Sequence, residues 1–264
     1  MCAAAVACVL AAVVAPGAGA AGPRTLTVMT FNIASAVETD NDLDPIADAI
    51  QLERADVAGL QEVDRSWSRS DGRDQAKELA LRLGMTFRFD PIFDCSARDT
   101  EGDGFCRYGT AIVSRFSMRA ATARDYSLPR VGEEEPRGLA EVGVNVRGRR
   151  LIVFNTHLSE VTSARRAQIR EILRVVTATR GPYILMGDFN AKPNAPEIGW
   201  VRRRLTDAAR LMRVQRPTVG NTRIDYVFAS KGITVLSAHV PPASSRRVSD
   251  HRPLIVELRM DRTR

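Results

Sequence analysis

Along this chain, apolar runs of strand length repeatedly end at an ionisable or amide side chain. Val28-Met29-Thr30-Phe31 stops at Asn32, Val57-Ala58-Gly59-Leu60 at Gln61-Glu62, and Leu151-Ile152-Val153-Phe154 at Asn155-Thr156-His157. Ile184-Leu185-Met186-Gly187 gives way to Asp188-Phe189-Asn190, Arg223-Ile224-Asp225 opens another run, and Ser249-Asp250-His251 stands just before the last. A buried carboxylate is costly unless it is paired or holds a metal. A single ending of this kind is a capped turn or a core hydrogen bond. A series of them within one domain points to strand ends that converge on a shared site.

The periodicities around these runs predict strands at residues 25–31, 56–60, 108–114, 139–146, 150–155, 183–186, 224–229, 233–238 and 254–258. Asp44-Pro45 opens a helix with proline in its first turn, and Ile46, Ala49, Ile50 and Glu53 follow at helical spacing. Residues 74–83 read as an amphipathic helix closed by Gly84. The clearest helix covers residues 163–180: Ile169, Ile172, Leu173 and Val176 share one face, arginines cover the other, and Gly181-Pro182 stops it. Many strands, with a helix after several of them, give an α/β protein. Alternation alone leaves open one doubly wound sheet or two stacked sheets.

No Pro/Gly/Ser-rich linker, repeat or low-complexity run divides the chain, so residues 24–260 read as one catalytic domain. The 44% apolar and 26% charged composition of the full chain is that of a globular protein rather than a disordered one. Residues 2–14 are almost wholly Ala, Val, Leu and Cys, and an A-x-A pattern follows at Ala18-Gly19-Ala20. Residues 1–22 therefore read as a signal peptide, which places the protein in a secreted or extracytoplasmic setting. The missing basic n-region leaves open a start further upstream. Ala5-Val6-Ala7 is a poor lipobox for an anchor on Cys8. Cys95 and Cys106 remain, and in an exported protein their simplest arrangement is a disulfide; a zinc site would need two further ligands, and no histidine is near. The net charge of +7 invites a nucleic-acid partner, but it comes almost entirely from arginines spread through the chain, with only Lys77, Lys192 and Lys231 as lysines. Charge therefore carries little weight. Nothing indicates an obligate protein partner, and a monomer is expected.

The residue types at the strand ends narrow the chemistry. Glu62, Asp188, Asp225 and Asp250 supply carboxylates, Asn32 and Asn190 amides, and only His157 and His251 supply nitrogen. Hard oxygen ligands suit Mg²⁺, with Mn²⁺ or Ca²⁺ as alternatives, rather than zinc. A carboxylate-held cation with two imidazoles nearby suits attack of water on phosphorus, with a His–Asp pair taking the proton. No Gly-x-Ser-x-Gly elbow, nucleotide P-loop or Gly-x-Gly-x-x-Gly is present, and three histidines are too few for a three-His zinc site.

Taken in order, Met29-Thr-Phe-Asn32, Gln61-Glu62-Val63-Asp64, residues 108–115, Asn155-Thr-His157-Leu158, Gly187-Asp188-Phe189-Asn190, Arg223-Ile-Asp225-Tyr226 and Ser249-Asp250-His251-Arg252-Pro253 resemble the motif series of the endonuclease/exonuclease/phosphatase superfamily. The resemblance spans residues 25–258 and implies the DNase I-like fold, a four-layer α-β-β-α sandwich of two packed mixed sheets with the site at one edge. It implies Glu62 as principal metal ligand with Asn32 and Asp250 nearby. His251 would be the general base or phosphate contact, oriented by Asp225. Asp188 and Asn190 would position water and phosphate, His157 would bind a phosphate oxygen, and Arg137 would be a phosphate-binding arginine. The loop after Glu62, with Arg69 and Gln75, is expected to form the rim. Some nuclease members carry an acidic partner for the first histidine near the position of Tyr108-Gly109; its absence here argues against DNase-type endonuclease activity. The implied substrates are phosphoesters: nucleic acid, a phospholipid head group or a small phosphodiester. The alternative is a secreted, non-catalytic or toxin-like binding module on the same fold.

Overall fold

Strand β1 (Arg24–Asn32) shows how the layers arise. Successive side chains of a strand point to opposite faces. Leu26 and Val28 accordingly join one apolar cluster, while Met29 and Phe31 join another. A strand with both faces apolar has to be covered on both sides. The same alternation recurs in β8 (Tyr183–Asp188), where Ile184 and Met186 face the first cluster and Leu185 faces a third.

The computed structural model describes residues 24–95, 105–132, 135–242 and 248–261. The segment read as a signal peptide lies outside the described residues. The remaining strands are β2 (Val57–Arg65), β3 (Thr86–Asp94), β4 (Arg107–Ser114), β5 (Met118–Ser127), β6 (Gly138–Val146), β7 (Arg149–His157), β9 (Thr206–Asp207), β10 (Asp225–Ala229), β11 (Ile233–His239) and β12 (Leu254–Met260). The helices are α1 (Asp44–Leu52), α2 (Gln75–Leu83), α3 (Thr162–Ala178), α4 (Pro196–Arg202) and α5 (Ala208–Leu211). They form two six-stranded mixed sheets, ordered β11-β12-β1-β2-β4-β3 and β5-β6-β7-β8-β10-β9. The central cluster, with Val28, Val57, Val142, Val153, Met186 and Val256, lies between the sheets. Ile46 and Ile50 of α1 and Leu79 of α2 cover the outer face of the first sheet. Ile169 and Ile172 of α3 and Ile198 of α4 cover that of the second. The result is the four-layer α-β-β-α sandwich, so the choice left open by alternation falls on two stacked sheets.

Local signals behave as the sequence indicates. Asp74 caps α2 by accepting a hydrogen bond from the Lys77 amide at 3.1 Å, and Gly84 ends the helix with φ +61°. Three strands escaped the sequence reading, β3, β5 and the two-residue β9, and each is an edge strand. An edge strand needs no continuous apolar pattern, and β3 also carries Pro91 at a register shift, where a missing N–H is tolerated. His239 ends β11 and pairs with Glu53 at 2.9 Å. Cys95 and Cys106 are joined by a disulfide with Cα atoms 5.4 Å apart, and it ties the end of β3 to the start of β4.

The two sheets are also fastened by polar groups. Gln61 Nε2 donates to Asn155 Oδ1 at 2.7 Å, and Asn155 Nδ2 donates to the carbonyls of Leu60 and Ala111, both at 3.0 Å. Register then delivers the site: His157 lies beside Asp188 across the parallel β7–β8 pair, and Asp225 beside Asp188 across the antiparallel β8–β10 pair. Gly187 makes this approach possible, since it sits at φ +145° and an added Cβ would lie 2.0 Å from the Thr156 carbonyl oxygen. Gly187→Ala is expected to cost about 3 kcal/mol or more in stability through strain and overlap. Thermal denaturation of the variant measures this; an unchanged melting temperature would contradict it.

Candidate active site

Glu62 is placed by a break in β-pairing. Between Leu60 and Val63 the β2–β4 register shifts, and Glu62 adopts φ +54°, a strained value for a residue with a side chain. The bulge turns its carboxylate toward a cleft of about 300 Å³. Asn32, at the end of the neighbouring β1, donates from Nδ2 to Glu62 Oε1 at 2.8 Å and to Asp188 Oδ2 at 3.2 Å. Asn32 Oδ1 accepts from the Ala34 amide at 3.0 Å, so in this arrangement Asn32 braces two carboxylates and its oxygen is engaged by backbone. Behind Glu62, Ser35 and Asp64 are bridged by Gln75, whose Oε1 accepts from the Asp64 amide at 2.8 Å and whose Nε2 donates to the Ser35 carbonyl at 2.7 Å.

That bridge corrects one expectation. Gln75 does not line the mouth; it is fully buried, because its amide satisfies two backbone groups on the segments flanking the site. Removing it leaves a buried donor and a buried acceptor unpaired, at roughly 1–3 kcal/mol each. Gln75→Ala should therefore lower the melting temperature by several degrees and reduce activity on small and large substrates alike. A selective loss on large substrates would restore the rim role. Arg69 does line the cleft, paired with Asp64 at 2.8 Å and lying 3.7 Å over the Trp67 ring. Trp67 forms the cleft wall with Phe93 and Tyr108.

On the second sheet, Asp188 Oδ2 stands between two imidazoles, 3.7 Å from His157 Nε2 and 3.6 Å from His251 Nε2. Its Oδ1 accepts from the Asn190 amide at 2.9 Å, a turn that puts Asn190 at φ +46°. His251 Nδ1 lies 3.0 Å from Asp225 Oδ2, which fixes the tautomer with its proton on Nδ1 when the ring is neutral. Asp225 is free for this work because Arg223 pairs with Asp207 instead, at 2.9 Å. Ser249 anchors the segment: its hydroxyl donates to the Asn32 carbonyl at 2.7 Å and accepts from the His251 amide at 3.1 Å. Nothing in the Ser249–Pro253 motif itself marks this anchoring role of Ser249.

His157 is oriented from the other side. Arg137 Nη1 approaches its Nδ1 at 3.2 Å, and a guanidinium can only donate, so Nδ1 accepts and Nε2 carries the proton toward Asp188. Asn190 Nδ2, 3.2 Å from Nε2, donates one of its two hydrogens to the Leu158 carbonyl at 2.9 Å. A cation thus occupies the place where an acidic partner was missing. No side chain fits at position 109, because a Cβ on Gly109 would lie 2.1 Å from the Asp90 carbonyl oxygen.

Electrostatics follow from this crowding. Burial raises the Glu62 carboxyl above its usual range, Asn32 pulls it back, and the Asp250 charge adds to the rise. Burial, then the Asp225 charge, raises Asp188. Burial, then the Arg137 charge, holds His157 well below the usual histidine range, so it is a neutral donor at pH 7. Burial alone would lower His251, but the Asp225 hydrogen bond and charge, with Asp188 and Asp250, outweigh it and push it up to about 9.

Half-buried Glu62 and exposed Asp250 repel each other across a polar cleft, an arrangement that fits a divalent cation. Glu62 and Asp250 offer oxygens to the cleft for it. Donor atoms of Asp188, Asp225 and His251 also come within 4.8 Å of one another. In that trio, however, Nδ1 of His251 is already bonded to Asp225, which suits proton transfer better than ligation.

The sequence profile described as "Endonuclease/Exonuclease/phosphatase family" matches residues 29–251. Among solved structures, an endonuclease/exonuclease/phosphatase from Beutenbergia cavernae DSM 12333 is 28% identical, with a TM-score of 0.74 over 90% of this chain and 72% of the other. The human Nocturnin catalytic domain with bound sulfate is 21% identical, with a TM-score of 0.69 over 89% and 93%. A mannosyl-6-phosphatase of Bacteroides thetaiotaomicron VPI-5482 is 19% identical, with a TM-score of 0.66 over 88% and 99%. No curated protein matches the chain in sequence.

Proposed function

The chain belongs to the endonuclease/exonuclease/phosphatase family, and on that premise we propose that it is a divalent-metal-dependent phosphoesterase using a His–Asp pair to activate water. The observation that carries this reading is the His251–Asp225 contact of 3.0 Å, made behind a cleft that His251 lines together with Glu62, Asp250, Asp188 and His157. Glu62 and Asp250 hold Mg²⁺, or Mn²⁺ or Ca²⁺, with Asn32 steadying Glu62. Bound there, the cation supplies positive charge that neutralises phosphate and offsets the carboxylates keeping His251 protonated.

The chain's own residues do the rest. His157 donates from Nε2, and Arg137 from its guanidinium, to phosphate oxygens; the Arg137 Nε is buried without a partner, a donor awaiting an anion. Asp188 and Asn190 set the attacking water, and neutral His251 takes its proton at Nε2 while Asp225 steadies the imidazolium through Nδ1. Arg69, with Trp67 beside it, forms the rim that meets the rest of the substrate. That substrate is a phosphoester, a monoester or a diester; the likeness to a mannosyl-6-phosphatase is compatible with the monoester. The Cys95–Cys106 bridge supports a secreted or extracytoplasmic location, since disulfides persist in oxidising compartments. The active unit is the monomer.

The purified chain with Mg²⁺ should hydrolyse bis-p-nitrophenyl phosphate, p-nitrophenyl phosphate or both, and the ratio assigns diester or monoester specificity. Hydrolysis of neither, with binding retained, would replace this reading with the non-catalytic module.

A further inference from the structure

From Val201 to Arg223 the chain carries seven arginines, with Asp207 as the segment's sole acid. Elsewhere on the surface arginines face carboxylates, as in Arg65–Asp74, Arg73–Glu78 and Arg82–Asp44. Here the fold gathers five of the seven, Arg202, Arg210, Arg213, Arg216 and Arg223, around a cavity of about 520 Å³ with no carboxylate among its lining residues. Asp207 pairs with Arg223 at 2.9 Å, and its other oxygen caps α5 by accepting from the Arg210 amide. Arg216 donates to the Val240 carbonyl at 2.7 Å, and Arg202 to the Pro193 carbonyl, which leaves the Arg202 Nε buried and unpaired. Among the described residues, Arg210 and Arg213 have no acidic partner. Four guanidinium charges in one concavity repel each other, and an anion relieves that repulsion.

The cavity is built on segments that also carry site residues. Arg223 precedes Asp225 by two residues, so their Cα atoms are at most about 7 Å apart. Pro193 follows Asn190 by three residues, on a segment tied to β10 by the hydrogen bond from the Tyr226 hydroxyl to the Ala191 carbonyl at 2.7 Å. The loops that carry Asp225 and Asn190 therefore also build the cavity wall.

We propose that this cavity is a second anion subsite, which takes a phosphate group of the substrate other than the one cleaved. Guanidinium groups match phosphate oxygens in bidentate fashion. The substrate class is a molecule with at least two phosphates: a short single-stranded nucleic acid or a polyphosphorylated small molecule. The word substrate rests on the phosphoesterase reading; the cavity's affinity for phosphate does not.

The test is the double variant Arg210→Gln/Arg213→Gln, whose positions are both exposed and outside the catalytic cleft. Its melting curve should match the parent's. Turnover is compared on bis-p-nitrophenyl phosphate, with one phosphate, and on a thymidine hexanucleotide and inositol hexakisphosphate, each with several. KM for at least one polyphosphate should rise about tenfold or more while kcat/KM for bis-p-nitrophenyl phosphate stays within about twofold. Whichever polyphosphate shows the rise identifies the source of the second phosphate. Binding of the labelled hexanucleotide in EDTA, followed by anisotropy against salt, should lose about 1.4 in log–log slope when two phosphate contacts are removed. If inositol hexakisphosphate is the ligand, it should displace a fluorescent phosphate probe from the parent chain and not from the variant. Equal changes on all three substrates, or unchanged binding of both polyphosphates, would overturn the subsite. Binding lost in the variant of a chain that hydrolyses nothing would keep the subsite and remove the phosphoesterase reading.

Discussion

His251→Ala is expected to cut turnover by about 10²- to 10⁴-fold, the range for removal of a positioned general base, while Mg²⁺ affinity measured by calorimetry changes little. The reason is geometric: His251 reaches the site through Nε2 and is held from behind by Asp225 through Nδ1, and neither atom is needed to hold the cation at Glu62 and Asp250. Asp225→Asn should give a smaller loss of the same kind, because the ring stays in place but loses the charge that favours its imidazolium. The double variant should be no worse than His251→Ala alone, since residues acting as one unit are not additive. Losses that multiply in the double variant would show that Asp225 does not act through His251.

Glu62→Gln should remove both activity and tight Mg²⁺ binding. Charge stabilisation by a catalytic metal is worth several kcal/mol, so turnover should fall by at least about a thousandfold. The fold should survive, because glutamine keeps the oxygen that accepts from Asn32. Stability should even move the other way. Glu62 is raised above its usual range by burial and by Asp250, so above that range its ionised form costs the metal-free fold free energy, and an uncharged side chain does not. Metal-free Glu62→Gln should therefore melt no lower than the parent at neutral pH. A variant that binds Mg²⁺ normally would remove Glu62 from the metal site, and one that unfolds would make it a structural residue.

Much of this was legible in the sequence because strands that are apolar on both faces leave few alternatives. The alternation of Leu26 and Val28 with Met29 and Phe31 marks two covered faces, and a polar residue ending such a strand must go to a solvated edge. The motif residues Asn32, Glu62, His157, Asp188, Asn190, Asp225, Asp250 and His251 meet there for that reason. What stayed hidden depends on contacts between segments distant in sequence. Gln75 lies eleven residues from Asp64 and forty from Ser35, and only the folded chain shows that its amide spans them. Arg137 was one arginine among many until the β6–β7 pairing set it against His157. β3 and β5 carry edge-strand sequences whose charges and proline are compatible with loop or strand. The arginines of residues 202–223 looked dispersed because they share a cavity only after α4, α5 and the following loop have folded together.

Turnover of bis-p-nitrophenyl phosphate by the purified chain, measured in Mg²⁺, after chelation with EDTA, and after Mg²⁺ is restored, tests the central claim most directly. Activity that disappears on chelation and returns with the metal is predicted. Activity that persists through EDTA, or is absent at every stage, would contradict metal-dependent phosphoester cleavage at the cleft of Glu62, Asp225 and His251.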